Sequence, residues 1–221
     1  EIIESISENS KADLNLFFNP DFVAHFSSRG PVSPFYIKPE IVAPGAYINT
    51  TQNNAGYNFT SGTSYAAPHV SGAAALLLQK NPELHHHEIK SLLLTTTEPV
   101  SDAYDQEFSI SEAGSGRLDI GNAFEAKLII MPPNFVVTVS SDDLVAQKQF
   151  ELKLIDRALN DLDVKFVGPE FVQFSHFLEG NTLQIKMKMT EENFGDHEGK
   201  LIINHEKTQY TIPFLIHYTP G

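Results

Sequence analysis

The sequence predicts an α/β segment over residues 1–127 followed by an all-β sandwich over residues 128–221, and three observations predict it. Gly62-Thr63-Ser64-Tyr65-Ala66-Ala67-Pro68 sets a tight glycine turn directly before an apolar helix that continues through Ala73-Ala74-Ala75-Leu76-Leu77-Leu78. Ile41-Val42-Ala43 is a short apolar run ended by the Pro44-Gly45 turn, the pattern of a short buried strand. Beyond Ala126 the character changes to alternating or β-rich runs separated by turn signals.

Taken in order, residues 1–18 read as a short helix or turn and then an apolar strand, Leu14-Asn15-Leu16-Phe17-Phe18. Tyr57-Asn58-Phe59-Thr60 leads into the glycine turn. Pro68 is expected in the first turn of the following helix, where its missing N–H costs nothing, and Ala73 to Leu78 are expected to be buried. A second helix starts within Pro82 to His87, and Ile89, Leu92, Leu93 and Leu94 give it an apolar face. Gly114 to Ala123 reads as a turn and a short helix that close the α/β segment, and Met131-Pro132-Pro133 reads as a linker. The β-rich runs are Phe135 to Val139, Phe150 to Ile155, Val164 to Val167, Thr182 to Met189, Lys200 to Asn204 and Gln209 to Tyr218. In Thr182 to Met189 the apolar residues fall on one face, with lysine and glutamine opposite. About six such strands in roughly 90 residues fit an immunoglobulin-like or fibronectin-type β-sandwich.

Composition narrows the chemistry. With 221 residues and 41% hydrophobic content the chain has room for two domains, and it has no apolar run long enough to span a bilayer, so no membrane insertion is expected. The absence of cysteine excludes a disulfide framework, a thiol nucleophile and a cysteine-based zinc site. A formal charge of −13 argues against nucleic acid or an acidic membrane as partner.

Ser64 is the candidate catalytic residue. It sits at a helix N-terminus, where unpaired backbone N–H groups and the positive end of the dipole favour the negative charge of a tetrahedral oxyanion. His69 is not its base: five helical steps turn a side chain by about 500°, leaving it roughly 140° around from Ser64. A hydrogen-bonded or packed helix histidine is the expectation. His85-His86-His87 point about 100° apart on a helix and cannot converge on one ion, so they read as a solvated first turn. Asp161-Leu162-Asp163 and Asp102-Ala103-Tyr104-Asp105 are too sparse for a calcium loop, and no metal ligand is assigned. His176, His197, His205 and His217 are expected at surfaces or strand edges. Asn49-Thr50-Thr51 and Asn58-Phe59-Thr60 match the glycosylation sequon.

Four blocks in order carry a resemblance to a known family: Phe26-Ser27-Ser28-Arg29-Gly30-Pro31, Lys38-Pro39-Glu40-Ile41-Val42-Ala43-Pro44-Gly45, Gly62 to Gly72, and Gly114-Ser115-Gly116-Arg117-Leu118-Asp119. Over roughly residues 1–127 the chain resembles the subtilisin-like serine proteases, or subtilases. The resemblance implies the C-terminal part of a doubly wound parallel sheet and a serine endopeptidase acting on polypeptide substrates. It implies that Ser64 is the nucleophile and its backbone N–H an oxyanion donor. It further implies that Ser61 and Gly62 line the path of an extended substrate and that Thr63 lends support beside them. Calcium is admitted by the resemblance, as is an extracellular or cell-surface location. Tyr65 stands where many relatives carry methionine.

In this family the triad runs Asp, His, Ser along the chain, so the acid and base belong upstream of Ser64. Asp13, Asp21 and His25 are squeezed too close to one another to serve, and His25 is expected in a strand or its edge. Asn9, Asn15 and Asn19 lack the glycine-rich setting of an oxyanion asparagine. The expectation is therefore a nucleophile-bearing portion whose partner is the missing N-terminal half of the catalytic domain, inactive by itself. The alternative is a degenerate subtilase acting as a non-catalytic binding or structural module. A serine esterase, suggested by the near-match of Gly62 to Ala66 to a nucleophile elbow, fails because a β-sandwich rather than further β/α units follows.

Overall fold

Glycine and proline placement decides how the first half of the chain folds. A computed structural model describes residues 22–32, 35–53, 56–155 and 162–221. The expected strand Leu14 to Phe18, together with Asn9, Asp13, Asn15, Asn19, Asp21 and Asp161, lies outside the described residues. Ala24 to Ser27 close a turn through Ser27 N–H to the Ala24 carbonyl at 2.9 Å, so His25 stands on a turn rather than in the expected strand. The expected strand at Ile41 to Ala43 is reduced to one parallel bridge, Val42 with Arg117. Pro39 and Pro44 flank it and have no N–H to give to a ladder. That bridge is the parallel pairing present in this half among the described residues, where the resemblance led us to expect part of a doubly wound sheet.

An antiparallel hairpin of β1 (Ile48–Gln52) and β2 (Gly56–Thr60) feeds the glycine turn, with Ile48 opposite Thr60. Helix α1 (Thr63–Lys80) follows as expected, but Pro68 is its sixth residue, in the second turn rather than the first. Of the run Ala73 to Leu78, Ala73 and Leu77 are buried, whereas Leu76 and Leu78 are 43% and 40% exposed. Helical spacing turns these last two away from α2 (His86–Thr95) and α4 (Ile120–Glu125), which α1 packs against. Helix α2 begins with a capping box in which Glu88 accepts from His85 N–H at 2.8 Å, and Ile89, Leu92, Leu93 and Leu94 are buried as the spacing predicts. Between them the single turn α3 (Ile110–Ala113), unexpected from periodicity, is capped by Ser109 and Glu112.

Among the described residues of 128–219 there are eight strands: β3 (Leu128–Met131), β4 (Phe135–Ser140), β5 (Val145–Leu154), β6 (Asp163–Val167), β7 (Val172–Glu179), β8 (Thr182–Met189), β9 (Gly195–His205) and β10 (Thr208–Thr219). Two four-stranded sheets result, ordered β4-β10-β9-β6 and β3-β5-β8-β7. Only the β4–β10 pairing within them is parallel, Phe135 opposite Phe214. The alternation read in Thr182 to Met189 buries Leu183, Ile185, Met187 and Met189. Phe135 on Phe150 and Phe166 on Phe174 join the two inner faces, with ring centroids 5.4 and 5.1 Å apart.

One apolar core runs from the helices into the sheets, joining Leu77, Leu84, Ile89, Leu92 and Leu93 to Leu128, Ile129 and Ile130. Polar contacts pin the same joint. Ser91 Oγ donates to the Ile130 carbonyl at 2.7 Å and accepts from Ile130 N–H at 3.0 Å. The Tyr210 hydroxyl accepts from Lys127 N–H and Leu128 N–H, both at 3.0 Å. Lys153 Nζ reaches Glu88 at 2.5 Å, Lys200 Nζ reaches Glu107 at 2.5 Å, and Glu198 accepts from Ile110 N–H at 2.9 Å.

Candidate active site

The turn that presents Ser64 is held by backbone bonds. Gly62 N–H donates to the Gly45 carbonyl at 2.8 Å, and Tyr65 N–H donates to the Gly62 carbonyl at 3.0 Å. Ser61 Oγ accepts from Tyr47 N–H at 2.9 Å, tying the end of β2 to the start of the hairpin. The Pro44-Gly45 turn lies so close that a Cβ on Gly45 would stand 3.0 Å from the Gly62 carbonyl oxygen and 3.1 Å from Ala66 Cβ. A side chain at 45 would therefore press on the serine turn. The sequence motif Lys38 to Gly45 carried that signal, but which turn it touches was not readable.

Ser64 is the second residue of α1 and is exposed, as are Ser61 and Thr63, while Gly62 is half-buried. Gly62 offers no side-chain cap and the first turn has no acidic residue, so the positive end of the helix is not neutralised locally. Pro68 has no N–H to give to the Ser64 carbonyl four residues back. These features bring Ser61, Gly62, Thr63 and Ser64 together on one open turn where an oxyanion or extended backbone can approach.

Among the described residues no hydrogen bond joins a histidine to Ser64. His69 Nδ1 bonds the Tyr65 carbonyl at 2.9 Å, the hydrogen-bonded helix histidine that the helical rotation predicts. His25 is exposed on its turn, its ring 5.5 Å from that of Phe26. His85, His86 and His87 are exposed at the start of α2, with the His85 and His87 rings stacked at 5.6 Å. His205 departs from the expected surface setting: it is 9% exposed, because the end of β9 turns it inward. His217 Nδ1 pairs with Asp196 Oδ1 at 2.7 Å, and His197 Nε2 bonds the Asn193 carbonyl at 2.7 Å.

The acidic groups are similarly occupied. Asp102 Oδ1 accepts from Tyr104 N–H at 2.8 Å and Gln106 N–H at 2.9 Å, closing a turn. Calcium would need a gathered oxygen-donor set, and no group of three or more His, Cys, Asp or Glu side chains placed to hold a metal ion occurs among the described residues. No helix among them is long and apolar enough to cross a membrane. Asn49 and Asn58, the two sequon asparagines, are exposed on opposite strands of the hairpin.

The model of the subtilase family, peptidase family S8, matches residues 18–119. The minor extracellular protease Vpr of Bacillus subtilis (strain 168) is 26% identical over 215 residues, covering 88% of this chain and 27% of that protein. The PII-type proteinase of Lactococcus lactis subsp. cremoris is 29% identical over 170 residues, covering 67% of this chain and 9% of that protein. The subtilisin-like protease SBT1.6 of Arabidopsis thaliana is 35% identical over 146 residues, covering 56% of this chain and 18% of that protein. The chain thus spans about a quarter or less of the length of these relatives. The serine turn at the head of α1 lies inside the span, residues 18–119, that matches the subtilase family of peptidases.

Proposed function

We propose that the chain carries the nucleophile of a serine endopeptidase and that Ser64 is that nucleophile. The observation that supports it most is the exposed Ser64 at the second position of α1, on a turn fixed by Gly45 and free of acidic neighbours. In the intact enzyme a histidine base from outside the described residues takes the Ser64 proton, and Oγ attacks the peptide carbonyl. The Ser64 backbone N–H donates to the oxyanion, Thr63 supports it, and Ser61 and Gly62 line the substrate's path. The leaving amine departs with a proton from that base, and water then releases the acyl group from Ser64.

In this reading residues 1–127 are the C-terminal portion of a catalytic domain whose complete sheet is doubly wound and parallel. Residues 128–221 are a fibronectin type III or immunoglobulin-like β-sandwich. The intact protein acts outside the cell or at its surface, in line with the extracellular protease among its relatives. The 221-residue chain by itself does not turn over, because no described side chain offers Ser64 a base.

A fluorophosphonate probe tests this on the chain and on the full-length protein from the same reading frame. Labelling at Ser64 in the full-length protein, lost in Ser64→Ala and absent from the isolated chain, is the expected result. Absence of labelling in a folded full-length sample favours a degenerate subtilase acting by binding.

A further inference from the structure

The extended segment from Glu40 to Gly45 runs from the joint with the paired sheets to the serine turn, and it is held along its whole length. At its start the Glu40 carboxylate gathers three donors. Lys90 Nζ of α2 at 2.6 Å and Asn134 Nδ2, just before β4, at 3.2 Å both meet Oε1, and Lys38 Nζ meets Oε2 at 2.8 Å. Its backbone carbonyl accepts from Ser115 N–H at 2.9 Å. In the middle Val42 N–H donates to the Gly116 carbonyl at 3.0 Å, and the Val42 carbonyl accepts from Leu118 N–H at 2.8 Å. At its end the Gly45 carbonyl takes Gly62 N–H at 2.8 Å. Five extended steps of roughly 3.3 Å separate the two ends, and a segment bonded at start, middle and end has little slack to absorb a shift at either.

We infer that Glu40 is a positioning residue for Ser64: by holding Lys90 and Asn134 it fixes the segment whose Gly45 carbonyl sets the Gly62 turn. The inference rests on the reading of Ser64 as nucleophile. Glu40 touches no reacting atom; it acts through Gly45 and Gly62. It also gives the paired sheets a part in the chemistry, because Asn134 enters β4 and Lys90 lies on the helix that packs against β3.

The test has two arms. In the 221-residue chain, amide hydrogen exchange is read at Gly62 and at Leu93 in wild type and in Glu40→Ala. Exchange at Gly62 is expected to quicken about tenfold while Leu93 in the core of α2 stays protected. Unchanged exchange at Gly62, or an equal rise at Leu93, overturns the positioning role. In the full-length protein, kcat per fluorophosphonate-titrated site is expected to fall about tenfold in Glu40→Ala with KM little changed, since sub-ångström misplacement of a nucleophile suffices. Glu40→Asp is expected to restore part of the rate, and a kcat per titrated site equal to wild type in Glu40→Ala overturns the role. A wild-type protein that does not react at Ser64 overturns the nucleophile reading instead, so the two failures are distinguishable.

Discussion

Ser91 stands in for a missing strand. Its hydroxyl satisfies both the N–H and the carbonyl of Ile130, on β3 at the edge of its sheet, and the side chain is fully buried. Ser91→Ala leaves two buried backbone groups unpaired, and an expected loss of about 2–4 kcal/mol is readable in urea denaturation. Beside it Glu88 is 2% exposed. Burial pushes its carboxyl pKa up, but Lys153 and the His85 N–H outweigh that and hold it below the ordinary value. A lowered folded-state pKa means that this stabilisation is complete above the unfolded carboxyl pKa and is lost as pH falls through the folded one. Glu88→Gln is therefore expected to weaken the protein at neutral pH and to flatten the acid limb of its melting temperature against pH. Histidine is not a usual cap residue, so the His85–Glu88 cap was not legible in sequence, and Lys153 lies 65 positions away with nothing local to announce it.

At the scale of elements, the helices were the most legible because their apolar spacing is long enough to repeat. Helices α1 and α2 fall where the pattern places them, and α4 overlaps the short helix expected within Gly114 to Ala123. Six of the eight strands coincide with the alternating or β-rich runs. Two were missed for physical reasons. In β3 every residue from Leu128 to Ile130 is buried, so there is no alternation, and Met131-Pro132-Pro133 masks its end. In β7 the exposed Phe177 breaks the period. The bend after α3 shows what backbone contact demands: Gly114 has φ 61°, and a Cβ there would lie 2.4 Å from the Pro39 carbonyl oxygen. Gly114→Ala must break the Pro39–Gly114 approach and adopt a strained φ, with an expected cost of about 2 kcal/mol or more. A thermal-melt comparison with Gly56→Ala, where a Cβ meets nothing within 4 Å, separates that cost from a generic glycine effect. Gly45→Ala is a milder change, with its Cβ 3.0 Å from the Gly62 carbonyl oxygen, but it acts at the serine turn, so probe labelling of the full-length protein is expected to fall more than stability does.

At the scale of the whole molecule, the change of character after Ala126 was visible in the sequence, whereas the continuity of the core across it was not. Binary pattern reports which face of an element is apolar, but not which later element covers it. Here the buried face of α2 is covered by β3 and β10, and Leu84, Ile89, Leu92 and Leu93 share one core with Leu128, Ile129 and Ile130. Cutting the chain after residue 127 removes that cover and takes Ile130 from Ser91, Lys153 from Glu88 and Lys200 from Glu107. The uncovered helix face then becomes a contiguous apolar patch of the kind that drives association. The 221-residue chain is therefore expected to unfold in one transition, with circular dichroism and near-ultraviolet signals coincident. Residues 1–127 alone are expected to show no cooperative melt, to bind a hydrophobic dye and to aggregate on warming. A cooperative transition in that segment would mean that the sheets are an appendage rather than part of its core. Two separated transitions in the whole chain would mean the same, because a shared core cannot melt in halves.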